Sequence, residues 1–271
     1  MLSRKDKKGI WLIAAVSAIF IVIFAVKIAF DKHAKPGGDN CVGTPVGNTV
    51  IVLDYSEEIP EQTKSEIAAR AMARIIGEVK VNERVSIFTV SDDSQRALRP
   101  VLSVCKPPND GNRMVEGIQT IQKRFHATFE KPLREILQKN PAESKESPIA
   151  QTLTDIALSE YLAGDRSTLL IFSDMLENTE KFTMYGCESS ANIIDRYRLS
   201  RHGAMERPKF SNARIDINLI PRLGQTAGTL KCRDKFWPWF FGDNPGADAA
   251  LSIRYLPGGA GHAQLIPRHS K

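Results

Sequence analysis

Two acidic residues close apolar, β-branched runs. Asp54 follows Asn48 to Leu53 (NTVIVL), and Asp174 follows Thr168 to Phe172 (TLLIF) and Ser173. Runs of this kind suit strands buried on both faces of a parallel sheet. In open parallel sheets, ligands gather at the carboxyl ends of the strands. The segments Asp54-Tyr55-Ser56-Glu57-Glu58, Ser147-Pro148-Ile149 and Ser173-Asp174 are therefore placed to converge. Carboxylates and hydroxyls are hard oxygen ligands, suited to Mg²⁺, Mn²⁺ or Ca²⁺. The candidate metal ligands are Asp54, Ser56, Glu58, Ser147 and Asp174. Each also has a plain structural role open to it. The two aspartates can cap amides at strand ends, Ser56 can be a turn residue, and Ser147 is a good N-cap for a helix opened by Pro148.

Covalent chemistry is harder to assemble. The five histidines, His33, His126, His202, His262 and His269, are isolated in the sequence. No Ser-His-Asp set can be nominated from them, and no Gly-rich phosphate loop follows the first strand. Hydrolysis would need a base that the sequence does not offer. A binding role without enzymatic activity is expected. The alternative is a metal-dependent phosphoesterase using Asp54 and Asp174.

The elements that would carry these residues alternate. Strands are expected at 48–53, 84–91, 98–105, 168–172, 215–220 and 251–256. Pro100 demotes the third to a sheet edge. Helices are expected from Pro60 to about Val79, over 112–138 with a kink or break at Pro132, from Ser147-Pro148 to about Leu162, and over 231–241, broken or bent at Pro238. Alternation of this kind argues an α/β domain with a mostly parallel sheet. The aromatic run Phe236-Trp237-Pro238-Trp239-Phe240-Phe241 reads as core, since residues pointing all round a helix cannot face one partner. Arg196 to Gly203, a basic run, reads as a solvated helix end.

The N-terminus has a different character. Gly9 to Val26 holds no charge, and Ile28 to Phe30 extends the apolar run past Lys27 to Phe30. A bilayer-spanning helix needs about 20 apolar residues. The basic flank Arg4-Lys5-Asp6-Lys7-Lys8 favours a cytoplasmic N-terminus. A cleaved signal peptide would have a shorter apolar core and a small-x-small site, which Phe30-Asp31-Lys32 does not provide. The expected organisation is a cytoplasmic N-terminus at 1–8, a transmembrane signal-anchor helix at 9–30, a tether at 31–47, one domain at 48–256 and a loose tail at 257–271.

The 271 residues carry a formal net charge of +6, and the sequence pI is about 9.1. Residues 1–35 hold seven basic and two acidic side chains, so the rest of the chain is nearly neutral. The basicity belongs to the anchor and its flanks, and nucleic acid is not expected as a partner. Cys41, Cys105, Cys187 and Cys232 show no CxxC or zinc spacing. Four cysteines following an anchor read as two disulfides in an oxidising compartment, with three connectivities open. Four free thiols in a cytosolic domain on a reversed anchor is the competing reading.

The ordered set Asp54-Tyr55-Ser56-Glu57-Glu58, Ser147-Pro148-Ile149 and Asp174, in these strand contexts, resembles the von Willebrand factor A-like family. That resemblance implies a three-layer, Rossmann-type sheet with helices on both faces and one antiparallel edge strand. It also implies a metal-ion-dependent adhesion site, in which Glu58 replaces a serine and Ser147 a threonine. At position 58 the carboxylate either binds metal directly or points to solvent. Tyr55, Glu57, Met175, Glu177 and Asn178 would belong to the partner-binding surface. The family topology puts Cys41 with Cys105 at one end of the sheet and Cys187 with Cys232 at the other. The resulting expectation is an inner-membrane, single-pass protein of bacterial type. Its C-terminal domain, periplasmic or extracellular, would bind a protein partner.

Overall fold

A computed structural model describes residues 11, 13, 16–23, 38–56, 59–90, 98–110, 117–139, 144, 146–163, 166–210, 213–222, 224–242 and 251–256. Glu57, Glu58, residues 31–37 of the expected tether and the expected tail at 257–271 lie outside these residues. The chain forms two compact units, Met1–Gly38 and Asp39–Lys271.

In the first unit, residues 11, 13 and 16–23 are helical. Trp11, Ile13, Val16 and Ile19 to Ile23 are between 48% and 76% exposed, so the described part of this helical stretch is apolar and exposed. Among the described residues no helix is long and apolar enough to cross a membrane. The rest of the expected anchor, 9–30, lies outside the described residues.

The second unit is built on a six-stranded sheet in the order β3-β2-β1-β4-β5-β6. Its strands are β1 (Asn48–Asp54), β2 (Arg84–Val90), β3 (Leu102–Cys105), β4 (Ser167–Ser173), β5 (Arg214–Leu219) and β6 (Leu251–Tyr255). All neighbours run parallel except β2 and β3. The edge strand β3 starts later than the sequence suggests, after Pro100. A proline has no N–H to donate to the ladder.

Alternation along the strands divides the core in two. Val50, Val52, Leu169, Ile171, Ile215 and Ile217 face one side, against α4 (Ile149–Ala157), α5 (Ile193–Ser200) and α6 (Ala227–Phe241). Ile51, Leu53, Val85, Ile87, Leu170 and Phe172 face the other. There they meet α1 (Glu61–Glu78), whose Ile67, Ala71 and Ile75 recur at the spacing of one helical face. α2 (Ile118–Phe125) lies on this side too and continues through a π-helical turn at His126–Glu130 into α3 (Lys131–Gln138). Of the kink or break expected at Pro132, a break does not occur, because Pro132 falls in the first turn of α3, where its missing N–H costs little.

α6 also runs through its proline rather than breaking there. Pro238 inside a helix costs about 3 kcal/mol. Phe236, Trp237, Phe240 and Phe241 are all buried, and each contributes about 1.5–3 kcal/mol, so their packing outweighs it. The aromatic run is core, as its sequence suggested.

Both disulfides join residues far apart in sequence. Cys41 pairs with Cys105 and Cys187 with Cys232, with Cα–Cα distances of 4.8 and 6.4 Å. The first holds residues 39–47, read from sequence as tether, onto the domain. There the Cys105 amide donates to the Asp39 carbonyl, and Val42 and Asn82 exchange two hydrogen bonds. The compact unit thus begins at Asp39, ahead of the expected domain start at 48.

Candidate functional site

The register of the sheet places the site. Leu53 on β1 lies opposite Phe172 on β4, so Asp54 comes level with Ser173 where both strands end. On the far side of β4, Ser173 lies opposite Leu219 on β5. The C-terminal ends of β1, β4 and β5 therefore sit side by side, and Asp54, Asp174 and Arg222 project from them.

Asp54 is buried and surrounded by neutral donors. Ser173 Oγ donates to its Oδ2 at 2.6 Å. Ser147 Oγ lies 3.3 and 3.2 Å from the two carboxylate oxygens, and the Ser56 amide donates to Oδ1 at 3.2 Å. Ser147 therefore does not cap α4, the role its position before Pro148 suggested. Its backbone instead pairs with Asn178, donating at 2.7 Å and accepting at 3.1 Å.

The α4 N-terminus is capped from across the site. Glu177 Oε2 accepts from the Ala150 amide at 2.7 Å. Asp174 is 4% exposed. Its Oδ1 accepts from the Leu176 amide at 2.9 Å, and its Oδ2 accepts from Arg222 Nε at 2.6 Å. Arg233 Nη1 donates to the Asp174 carbonyl at 3.5 Å.

Met175 follows with φ at +58°, a left-handed conformation that costs a non-glycine residue roughly 1 kcal/mol. Its amide donates to Ser173 Oγ at 2.7 Å, and its carbonyl accepts from Trp237 Nε1 at 2.6 Å. Those two bonds hold the turn that follows Asp174.

The electrostatics follow from burial and crowding. Burial pushes Asp174 up to about 8, and the nearby Asp54 carboxylate adds to the rise. The Leu176 amide and Arg233 pull the other way. Glu177 is pushed up to about 8, chiefly by burial, against the pull of the Ala150 amide. Tyr185 rises to about 12, by burial first and then by Asp174 and Asp54, which marks its hydroxyl as a neighbour of the pair. Burial lowers Arg222, and Asp54 opposes that shift.

Of the expected metal ligands, the structure brings Asp54, Ser56, Ser147 and Asp174 to one point; Glu58 lies outside the described residues. As arranged they do not fit a divalent ion. One oxygen of Asp174 is in ionic contact with Arg222. An ion on the same carboxylate would stand roughly 5 Å from that guanidinium, a repulsion of roughly 7 kcal/mol at an effective dielectric constant of about 20. Among the described residues no group of three or more His, Cys, Asp or Glu is placed to hold a metal.

The expected partner-binding residues need correction on a separate ground. Tyr55, Met175 and Glu177 are buried, so their side chains present no contact surface. Tyr55 instead donates to the Leu137 carbonyl at 3.2 Å from within the core. Asn178 is half-buried in its bridge with Ser147. Glu57 lies outside the described residues. The exposed side chains at this end include Glu180 and Lys181, beside Glu146.

Sequence reasoning passed over Ser173, Arg222 and Arg233. Ser173 was findable, since it stands beside Asp174 and the register brings it level with Asp54. Arg222 had a weaker signal, a cation three residues past the end of β5. Arg233 had none, because its place depends on how α6 packs.

Comparison with known proteins adds little to this geometry. No family model matches the chain, and no curated protein matches it. Among solved structures, the chain is similar to the human COPII-coat protein Sec24c, with 11% identity and a TM-score of 0.36. The match covers 79% of this chain and 29% of that one, and a likeness this slight supports no statement about function.

Proposed function

We propose that the chain is a membrane-anchored, exported binding module of von Willebrand factor A-like type. It engages a protein partner through the C-terminal ends of β1, β4 and β5. The observation that carries this reading is the convergence of Asp54 and Asp174, from the ends of β1 and β4, with Ser147, from the loop before α4, at one end of the sheet. The strand order, with a single antiparallel edge, agrees with it. At this point the polar groups are tied to one another by hydrogen bonds and an ion pair. That arrangement suits a rigid frame beneath a recognition surface better than turnover. Export is supported by the pairing of all four cysteines, since disulfides persist in oxidising compartments. Anchoring is supported by the apolar residues exposed along the N-terminal helical stretch.

The test is recovery of the tagged full chain from its native membranes after mild cross-linking, with thiols alkylated at lysis. The expected result is a discrete protein partner and no alkylated cysteine. Glu180→Arg with Lys181→Glu should abolish the capture, and Lys80→Glu, at the opposite end of the sheet, should leave it intact. Four reactive thiols would refute export. Capture lost with Lys80→Glu and kept with the pair would refute the assigned surface.

A further inference from the structure

The acidic pair at the ends of β1 and β4 is built around a positive charge supplied by the chain. Arg222, three residues past β5, places Nε 2.6 Å from Asp174 Oδ2. Asp174 is almost fully buried and the Arg222 side chain is 20% exposed, so this is not a surface ion pair. Asp54 is close enough to favour the charged form of Arg222, so the guanidinium acts on both carboxylates. The donors on Asp54 are two serine hydroxyls and an amide, all neutral. Arg222 brings a positive charge to the pair from the β5 end, beside that of the buried Arg233 on α6, and the Ile220 amide, which donates to the Ser173 carbonyl at 2.9 Å, fixes the path from β5.

We infer that Arg222 is a tethered cation which takes the position and the electrostatic role of a divalent ion at this site, so that the site is complete, and binds its partner, without metal. An arginine suits that role. It stays charged at every relevant pH, and its planar fork matches a carboxylate. Because it belongs to the chain, the site does not depend on the ion content of the medium. The contact has a second effect, since it ties the β5 end to the β4 end across the turn that Met175 makes.

The inference deepens the reading of this end of the sheet as the partner-binding end. Its test is separable, because it is read on the chain without a partner. The full chain in detergent micelles, disulfides intact, is titrated with Mn²⁺, and the free ion is followed by its electron paramagnetic resonance signal. Wild type and Asp54→Asn should take up Mn²⁺ equally, with no saturable site in either. Arg222→Ala should gain one site, at least about tenfold tighter than any uptake by wild type. Adding Asp174→Asn to that variant should remove the gain. A saturable site in wild type that Asp54→Asn abolishes would overturn the inference. So would a folded Arg222→Ala that gains no site.

If Arg222→Ala does not fold, the melting temperature of wild type decides, because an ion that binds only the native state must raise it. A value unmoved by Mn²⁺ or by a chelator supports the tethered cation. A rise with Mn²⁺ that Asp54→Asn abolishes overturns it. Any of these reversals would leave the partner-binding reading standing. A failure of partner capture would leave the metal result standing.

Discussion

Replacing Glu177 with glutamine should make the domain more stable at alkaline pH and change it little in acid. Glu177 is 3% exposed, and its carboxyl group accepts the Ala150 amide at the start of α4. Burial raises it to about 8, with a further push from Asp54. The sign follows from where the proton sits. In the unfolded chain the group titrates near 4.5, so between that value and 8 the folded state holds a proton that the unfolded state has released. Its contribution is full below the unfolded value and is lost as pH rises through 8. A rise of this size corresponds to roughly 3–5 kcal/mol across the window. Glutamine keeps an oxygen for the Ala150 amide and cannot ionise, so Glu177→Gln removes that loss. The assay is urea denaturation of the oxidised 39–271 unit at pH 5 and at pH 8.5. Wild type should lose stability between the two, and the variant should lose several kcal/mol less. Part of the slope should survive in the variant, because Asp174 titrates in the same direction. Equal slopes in the two proteins, or wild-type stability that rises with pH, would refute the reasoning.

Two further perturbations probe the frame around the site. Ser173→Ala removes the donor to Asp54 and the acceptor for the Met175 amide together, both buried, and should cost about 2–4 kcal/mol in urea denaturation. A cost near zero would mean that the serine does not organise the turn. Replacing Cys41 and Cys105 with alanine opens a link between residues 64 apart in sequence and should cost about 4 kcal/mol, read as a lower denaturation midpoint of the oxidised protein.

The frame was far more legible than the surface. The runs NTVIVL and TLLIF are β-branched and apolar because both faces of β1 and β4 are buried, and such runs fix strands with little ambiguity. Asp54 and Asp174 were legible for the same reason, since each closes such a run. Ser147 shows where local reading stops. A serine before a proline is a good helix cap by every local rule, yet its hydroxyl serves Asp54, and the cap comes from Glu177, 27 residues away from Ala150. Tyr55, Met175 and Glu177 flank the site in sequence, and the family resemblance put them on its surface. Whether such residues point outward depends on packing against α3, α4 and α6, which no local pattern encodes. Arg222 escaped notice because its partner is 48 residues away on another strand end.

The most direct test of the central claim is a photo-crosslinking side chain placed at position 181 of the full chain in its native membrane, with position 80 as the control. Lys181 lies at the C-terminal end of the sheet, and Lys80 at the opposite end, where α1 gives way to β2. A discrete protein adduct should form from position 181 and persist in a chelator, with none from position 80. An adduct from position 80 with none from position 181 would contradict the claim.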